Sequence, residues 1–106
     1  MVSHAVAGQG SEARMDRTEA ETVALDALSW IAATDDLLGV FLGASGLSAD
    51  DLPRLAGQRS TLVAVLDFLV MDDAWVVGFC DDRGLSYDTP LRARTVLAGR
   101  REMHWT

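Results

Sequence analysis

The chain has 106 residues, of which 49% are apolar, and a formal net charge of −7. This length fits one domain, and the apolar share is enough to bury a core without metals or disulfides. The acidic balance disfavours binding to nucleic-acid phosphates, and the single cysteine, Cys80, excludes an intramolecular disulfide.

The chain carries no signal for membrane insertion or secretion. No apolar stretch reaches the roughly 18 to 20 residues of a membrane span, and the best candidate, 62–71, contains Asp67. No charged region followed by an apolar run opens the chain, as a secretory signal would. We therefore expect a cytoplasmic protein with no membrane partner. Residues 1–17 are predicted to be a disordered arm, with Met15 as an alternative start to Met1.

The first helix is predicted from Thr18 to near Ala33. Thr18 and Glu21 have the spacing of a capping box, in which a hydroxyl and a carboxylate satisfy free backbone N–H groups. Its apolar face is predicted from four residues that recur at spacings of three and four: Leu25, Leu28, Ile31 and Ala32.

The second helix is predicted to begin at a cap formed by Thr34 or Asp35. Gly46 is placed to end it in the left-handed conformation. Its apolar face is predicted to contain four residues: Leu37, Leu38, Phe41 and Leu42.

A short third helix is predicted to follow Ser48, with Pro53 tolerated in its first turn. Gly57 separates it from a fourth helix, 61–71, which Ser60 is predicted to cap. This fourth segment is apolar nearly all round, so we expect it at the centre of the domain. Its β-branched residues make a strand the rival interpretation, which the helical spacing of its leucines disfavours.

The fifth helix is predicted to begin at Asp72 or Asp73 and to end at Gly84. The sixth is predicted from the pair Thr89 and Pro90, as cap and first helical residue, to about residue 98. Residues 100–106 are predicted to be a tail. The predicted fold is therefore all-α, a compact bundle of about six short helices forming a single domain over 18–99.

The sequence aligns with itself at an offset of 38 residues. Over 22–56 there are 8 identities, where about 2 or 3 are expected by chance. The most distinctive match sets Gly46 and its following Leu-Ser against Gly84 and its following Leu-Ser. We predict two pseudo-repeated three-helix units, 22–56 and 60–98, packed with approximate two-fold symmetry.

Asp67 is the one charged residue in the apolar fourth helix. It either faces solvent along a narrow polar stripe or pairs with an arginine, for which Arg92 and Arg94 are the candidates. A buried and unpaired carboxylate would have a raised pKa and would become the best candidate for a functional site.

Two further groups are candidates for interaction with a partner. Acids at the end of a helix oppose its dipole, so Asp81 and Asp82 hint at a partner or an ion pair, although a solvated face is the simpler interpretation. The C-terminal end is basic, and it carries a tryptophan for which the predicted core has no obvious place. This tryptophan could anchor a partner or a second copy of the chain. Its candidate residues are Arg92, Arg94, Arg100, Arg101 and Trp105.

Catalytic signatures are missing from the sequence. It has no phosphate-binding glycine loop, zinc-ligand spacing or nucleophile elbow, and its histidines, His4 and His104, lie at the two ends. The paired aspartates at 35–36 and 72–73 are better explained as helix caps. Cys80 is expected to be a buried, inert thiol. Catalysis is therefore disfavoured, and we expect no cofactor and no metal.

Three stretches, 19–32, 41–52 and 65–73, resemble a family of short alphaproteobacterial proteins known as a domain of unknown function. The resemblance covers about 19–97. It implies a helical cytoplasmic protein of bacteria and carries no catalytic residues over to this chain.

Three functions remain open at this point. The leading hypothesis is a non-catalytic protein–protein interaction module, an adaptor or regulator with a protein partner. The second is a structural homo-oligomer, in its simplest form a homo-dimer, that associates through apolar surface around Trp75 and the fourth helix. The third is a small enzyme or ligand binder built around Asp67 and a pocket between the two halves.

Overall fold

The computed structural model describes residues 15–99, and within that range the chain forms six helices and no strand. The all-α prediction is therefore confirmed. None of these helices combines the length and the apolar character needed to cross a membrane. In chain order they are α1 (Arg17–Ala33), α2 (Leu37–Ser45), α3 (Leu52–Leu55), α4 (Arg59–Val70), α5 (Asp73–Arg83) and α6 (Thr89–Ala98).

The cap of helix α1 lies two residues before the predicted one. The cap is Asp16, whose carboxylate accepts the Glu19 N–H at 2.8 Å, while the Glu19 carboxylate accepts the Asp16 N–H at 3.1 Å. A capping box is present, but the Thr18 and Glu21 assignment was wrong. Asp caps a helix as well as Thr does, and the acid three residues later fits either frame. Asp16 and Arg17, expected in the arm, thus belong to the first helix and its cap.

The caps predicted for three other helices were also wrong. The turn between α1 and α2 places Asp36 at the cap with a φ of 61°, and the Thr34 hydroxyl donates instead to the Trp30 carbonyl at 2.6 Å. Neither Thr34 nor Asp35 caps α2, because Thr34 completes the end of α1.

At α4 and α6 the helices begin one or two residues earlier than predicted. Gln58, not Ser60, is the cap residue of α4, where the Arg59 guanidinium donates to the Leu97 carbonyl at 2.9 Å and ties α4 to α6. Asp88, not Thr89, is the cap residue of α6. The Thr89 hydroxyl is buried and bonded to Ser86 at 2.9 Å, which draws Thr89 into the helix.

Several predicted boundaries are confirmed. Gly46 and Gly84 both adopt the left-handed conformation at the ends of α2 and α5, with φ of 78° and 69°. Asp72 caps α5 by accepting the Ala74 N–H at 2.8 Å. Pro53 lies in the first turn of α3. The two-fold relation between the halves stays a prediction; its third elements differ in length, four residues in α3 against ten in α6.

Helix α4 lies at the centre and packs against α1, α2, α5 and α6. Six of its twelve residues are buried, which confirms its predicted central position. Aromatic rings fill the space around it. Phe68 meets the edge of Phe41 at 5.3 Å between ring centres and stacks on Trp75 at 4.6 Å.

Helix α1 carries two apolar stripes rather than one. The buried stripe consists of three alanines and an isoleucine: Ala20, Ala24, Ala27 and Ile31. Small side chains let α1 lie close to α6 and α4, its main neighbours. Of the predicted face, only Ile31 is buried; Leu28 is partly buried, Leu25 is 44% exposed and Ala32 is exposed. Neither leucine of α1 therefore belongs to the fully buried core: Leu28 packs against it and Leu25 is exposed.

Candidate functional site

Asp67 pairs with Arg94 across the interface between α4 and α6. The Arg94 Nε lies 2.5 Å from the Asp67 Oδ1, and the two side chains are 26% and 49% exposed respectively. This confirms the predicted pairing and selects Arg94 from the two candidates. The alternative of a buried, unpaired carboxylate does not describe this residue.

A small cavity opens beside Asp67, between α2 and α4, and has a volume of about 180 Å³. Besides the Asp67 carboxylate, the one polar side chain that lines the cavity is Ser45. The Ser45 hydroxyl donates to the Leu42 carbonyl and accepts the Leu47 N–H, so it is already hydrogen-bonded at the end of α2. The other walls are apolar: Phe41, Ala44, Ala64, Phe68 and Met71. The cavity could accept a small cationic or hydrogen-bonding group, but it pairs no nucleophile with a base. Among residues 15–99, no three acidic, histidine or cysteine side chains are grouped to hold a metal.

Asp81 and Asp82 have partners from nearby in the chain. Asp81 accepts the Tyr87 hydroxyl at 2.7 Å, and this hydrogen bond raises the pKa of Tyr87. Asp82 lies 3.2 Å from the Arg83 guanidinium, which also reaches Asp26 of α1 at 3.5 Å. The predicted alternative of an ion pair at this helix end therefore holds for Asp82.

The basic C-terminal candidates do not lie together within the described residues. Arg94 faces α4 through Asp67, whereas Arg92 lines a shallow pocket of about 300 Å³ whose other wall is α1. Two positions on a helix separated by two residues point roughly 160° apart. The remaining candidates lie outside the described residues: Arg100, Arg101 and Trp105.

Cys80 is fully buried in the core, as predicted. Burial raises the pKa of its thiol, and the charges of Asp81 and Asp88 raise it further. The thiol form is therefore favoured over the reactive thiolate.

An open apolar groove that the sequence did not predict lies on the surface of the described residues. It has a volume of about 430 Å³ and lies between α1 on one side and α2 and α3 on the other. One wall is the outer stripe of α1, with Leu25, Leu28, Ser29 and Ala32. The opposite wall is formed by Leu38, Ala49, Leu52, Pro53 and Ala56. We call this feature the α1–α3 groove.

Ser29 is the only side chain with a polar group among the nine that line the α1–α3 groove. Such a surface can bury apolar groups of another molecule, and it offers no chemistry for catalysis. A signal for it was present in the sequence, because Leu25, Leu28 and Ala32 share one face of α1. That face was assigned to the core since leucine is usually buried.

A family model described as "Protein of unknown function (DUF3572)" matches residues 17–100. No curated protein and no solved structure matches the chain. The match agrees with the resemblance to a family of unknown function and spans all six helices, with the groove and the Asp67 cavity between them. The chain therefore belongs to the DUF3572 family of proteins of unknown function.

Proposed function

We propose that this chain is a non-catalytic protein–protein interaction module, an adaptor or regulator that binds its partner in the α1–α3 groove. The observation that carries the proposal is the placement of leucines on α1. Leu25 and Leu28 line an open groove while alanines fill the core side of the same helix. Partly exposed apolar surface gathered in a groove is typical of binding sites in monomeric proteins. We further propose a cytoplasmic location in an alphaproteobacterial host, which rests on the sequence resemblance.

A site-specific photo-crosslinker in the natural host tests this proposal. p-Benzoylphenylalanine replaces Leu25 in one version and Leu91 in the other. Both leucines are exposed, by 44% and 55%, but Leu91 lies on α6 and outside the groove. We expect a crosslinked protein from the Leu25 version and none from the Leu91 version.

The captured protein is then purified, and its binding to the wild-type chain and to Leu25→Asp is measured. Loss of binding in Leu25→Asp supports the proposal. The same crosslinks from both positions, or none from Leu25, would contradict it. A crosslinked product of twice the chain's mass would favour the homo-oligomer instead, and sedimentation at varied concentration would then give the size of the assembly.

The cavity beside Asp67 favours a second candidate function, the binding of a small ligand. Its walls are apolar, and the Asp67 carboxylate, although paired with Arg94, is half exposed and can accept a hydrogen bond from a small amine. A thermal-shift screen of amines, metabolites and metals, run on wild type and on Asp67→Asn, tests this candidate. A compound that raises the melting temperature of wild type alone would support it, and equal or absent shifts would exclude it.

A further inference from the structure

The shape of the α1–α3 groove favours a helix as its occupant. Its α1 wall extends over two turns, from Leu25 to Ala32, which is about 10 Å at a rise of about 1.5 Å per residue. Both walls are helical or lie next to helices, and helix backbones offer no free edge for an added strand. A partner must therefore bind through its side chains. A partner helix with apolar residues three and four positions apart would present them at the same spacing as the groove residues of α1.

The charges around the groove select the kind of helix. Glu21 lies one turn before Leu25 on α1, and Asp50 and Asp51 come between Ala49 and Leu52 of the opposite wall. Two more acids, Asp35 and Asp36, form the turn between α1 and α2.

The basic residue nearest in sequence to the groove lining offsets one of these five acids and leaves four. Arg54 follows Pro53 of the groove wall, and its guanidinium lies 2.9 Å from the Asp51 carboxylate, so these two charges compensate each other. The segments that border the apolar lining therefore carry an excess of acids, Glu21, Asp35, Asp36 and Asp50, and we call these four the acidic rim. Electrostatic complementarity across an interface favours a partner of opposite charge.

We infer that the α1–α3 groove takes the apolar face of an amphipathic helix whose polar face is basic, carried by a partner protein. The inference rests on the proposed function and deepens it by naming the chemistry of the partner. The apolar face of that helix packs between α1 and α3, and its lysines or arginines lie against the acidic rim. Apolar contact supplies most of the affinity, and charge sets the preference among helices.

Three peptides test this chemistry by fluorescence anisotropy with the full chain. The first carries leucines at i, i+3, i+4 and i+7 and lysines on its polar face. The second has the same leucines and glutamates in place of the lysines, and the third keeps the lysines but scatters the leucines. We expect the first to bind at least about tenfold more tightly than either of the others at low salt. Its advantage over the second should shrink at about 1 M salt, where the Debye length falls to about 3 Å.

Matched variants assign the binding to the groove. Leu25→Asp should weaken binding of the lysine peptide at least about tenfold, whereas Leu91→Asp should leave this binding unchanged. Glu21→Gln with Asp50→Asn should reduce the preference for lysine over glutamate. The control pair Asp73→Asn with Asp82→Asn lies on α5, outside the groove, and should not change this preference.

The outcomes separate this inference from the proposed function. Equal binding of the lysine and glutamate peptides, lost in Leu25→Asp, would overturn the basic helix and leave the groove as an interaction site. If Leu25→Asp bound the lysine peptide as tightly as wild type does, or if no peptide bound, the inference would be overturned altogether. In that case the crosslinking result at Leu25 still decides the proposed function independently.

Discussion

Gly43 and Gly78 both lie inside helices, but they differ in what a methyl group would meet. A Cβ on Gly43 has nothing within 4 Å, whereas one on Gly78 would lie 3.0 Å from the Trp30 ring. That ring meets the edge of Phe79, with their centres 6.1 Å apart, so its freedom to move away is restricted. Packing against Trp30 thus requires glycine at position 78, whereas nothing packs closely enough to require it at position 43.

We expect Gly43→Ala to stabilise the protein by about 0.5–1 kcal/mol, because alanine loses less backbone entropy in a helix. Gly78→Ala should destabilise it by about 1–2 kcal/mol, because overpacking against Trp30 outweighs the same gain. Urea unfolding of both variants and wild type measures these changes. Equal stabilisation by the two substitutions would show that the Trp30 ring moves aside freely.

The partner of Asp67 illustrates how far residue-level prediction reaches. The sequence left two alternatives, exposure to solvent or pairing with an arginine of the sixth helix, because a charge on a nearly all-apolar helix needs one or the other. It left Arg92 and Arg94 as equal candidates. These two point to opposite sides of α6, and the side that meets α4 is decided by packing between helices rather than within one.

At the scale of elements, the capping box at the start of α1 can be assigned to Asp16 or to Thr18. Asp16 holds both bonds of the capping box, while the exposed Thr18 side chain, the predicted cap, makes neither of them. Asp16→Ala should therefore cost about 1 kcal/mol of unfolding free energy. Thr18→Ala should change it by less than about 0.5 kcal/mol. Thermal unfolding followed by circular dichroism measures both, and a larger loss in Thr18→Ala would refute this cap.

The helices were predictable because each has its own local signals, apolar spacing and a glycine or aspartate at an end. Gly46 and Gly84 show this best, since only glycine takes the left-handed conformation without strain. The starts of α4 and α6 were less predictable. Arg59 bonds to Leu97 and Thr89 bonds to Ser86, and such contacts extend a helix beyond its strongest capping residue.

The α1–α3 groove was not predicted, although α1 itself was, because the signal on α1 is ambiguous. The sequence has apolar residues on two faces of α1, and nothing local tells which face meets the core. The structure places the alanine stripe inward, because α6 and α4 pack against it, and leaves Leu25 partly exposed. The opposite wall comes from residues around Pro53, whose position depends on the turn after Gly46.

At the scale of the whole molecule, the charge is distributed unevenly. The chain has a net charge of −7, and arginines are paired with acids where helices meet, as Arg94 is with Asp67 and Arg83 with Asp26. In the described segments that border the α1–α3 groove, 21–38 and 49–56, acids outnumber the one arginine, Arg54. The open apolar groove supports the proposed interaction site, and the acids in the segments beside it support a basic helix as the partner.

The most direct test of that account is a titration of the ¹⁵N-labelled chain with the lysine-faced amphipathic peptide, followed by amide chemical shifts. The account predicts that the largest shifts fall on 25–32 of α1 and 52–56 around α3, with 64–71 beside the Asp67 cavity little changed. Shifts concentrated on 64–71, or no shifts at saturating peptide, would contradict it.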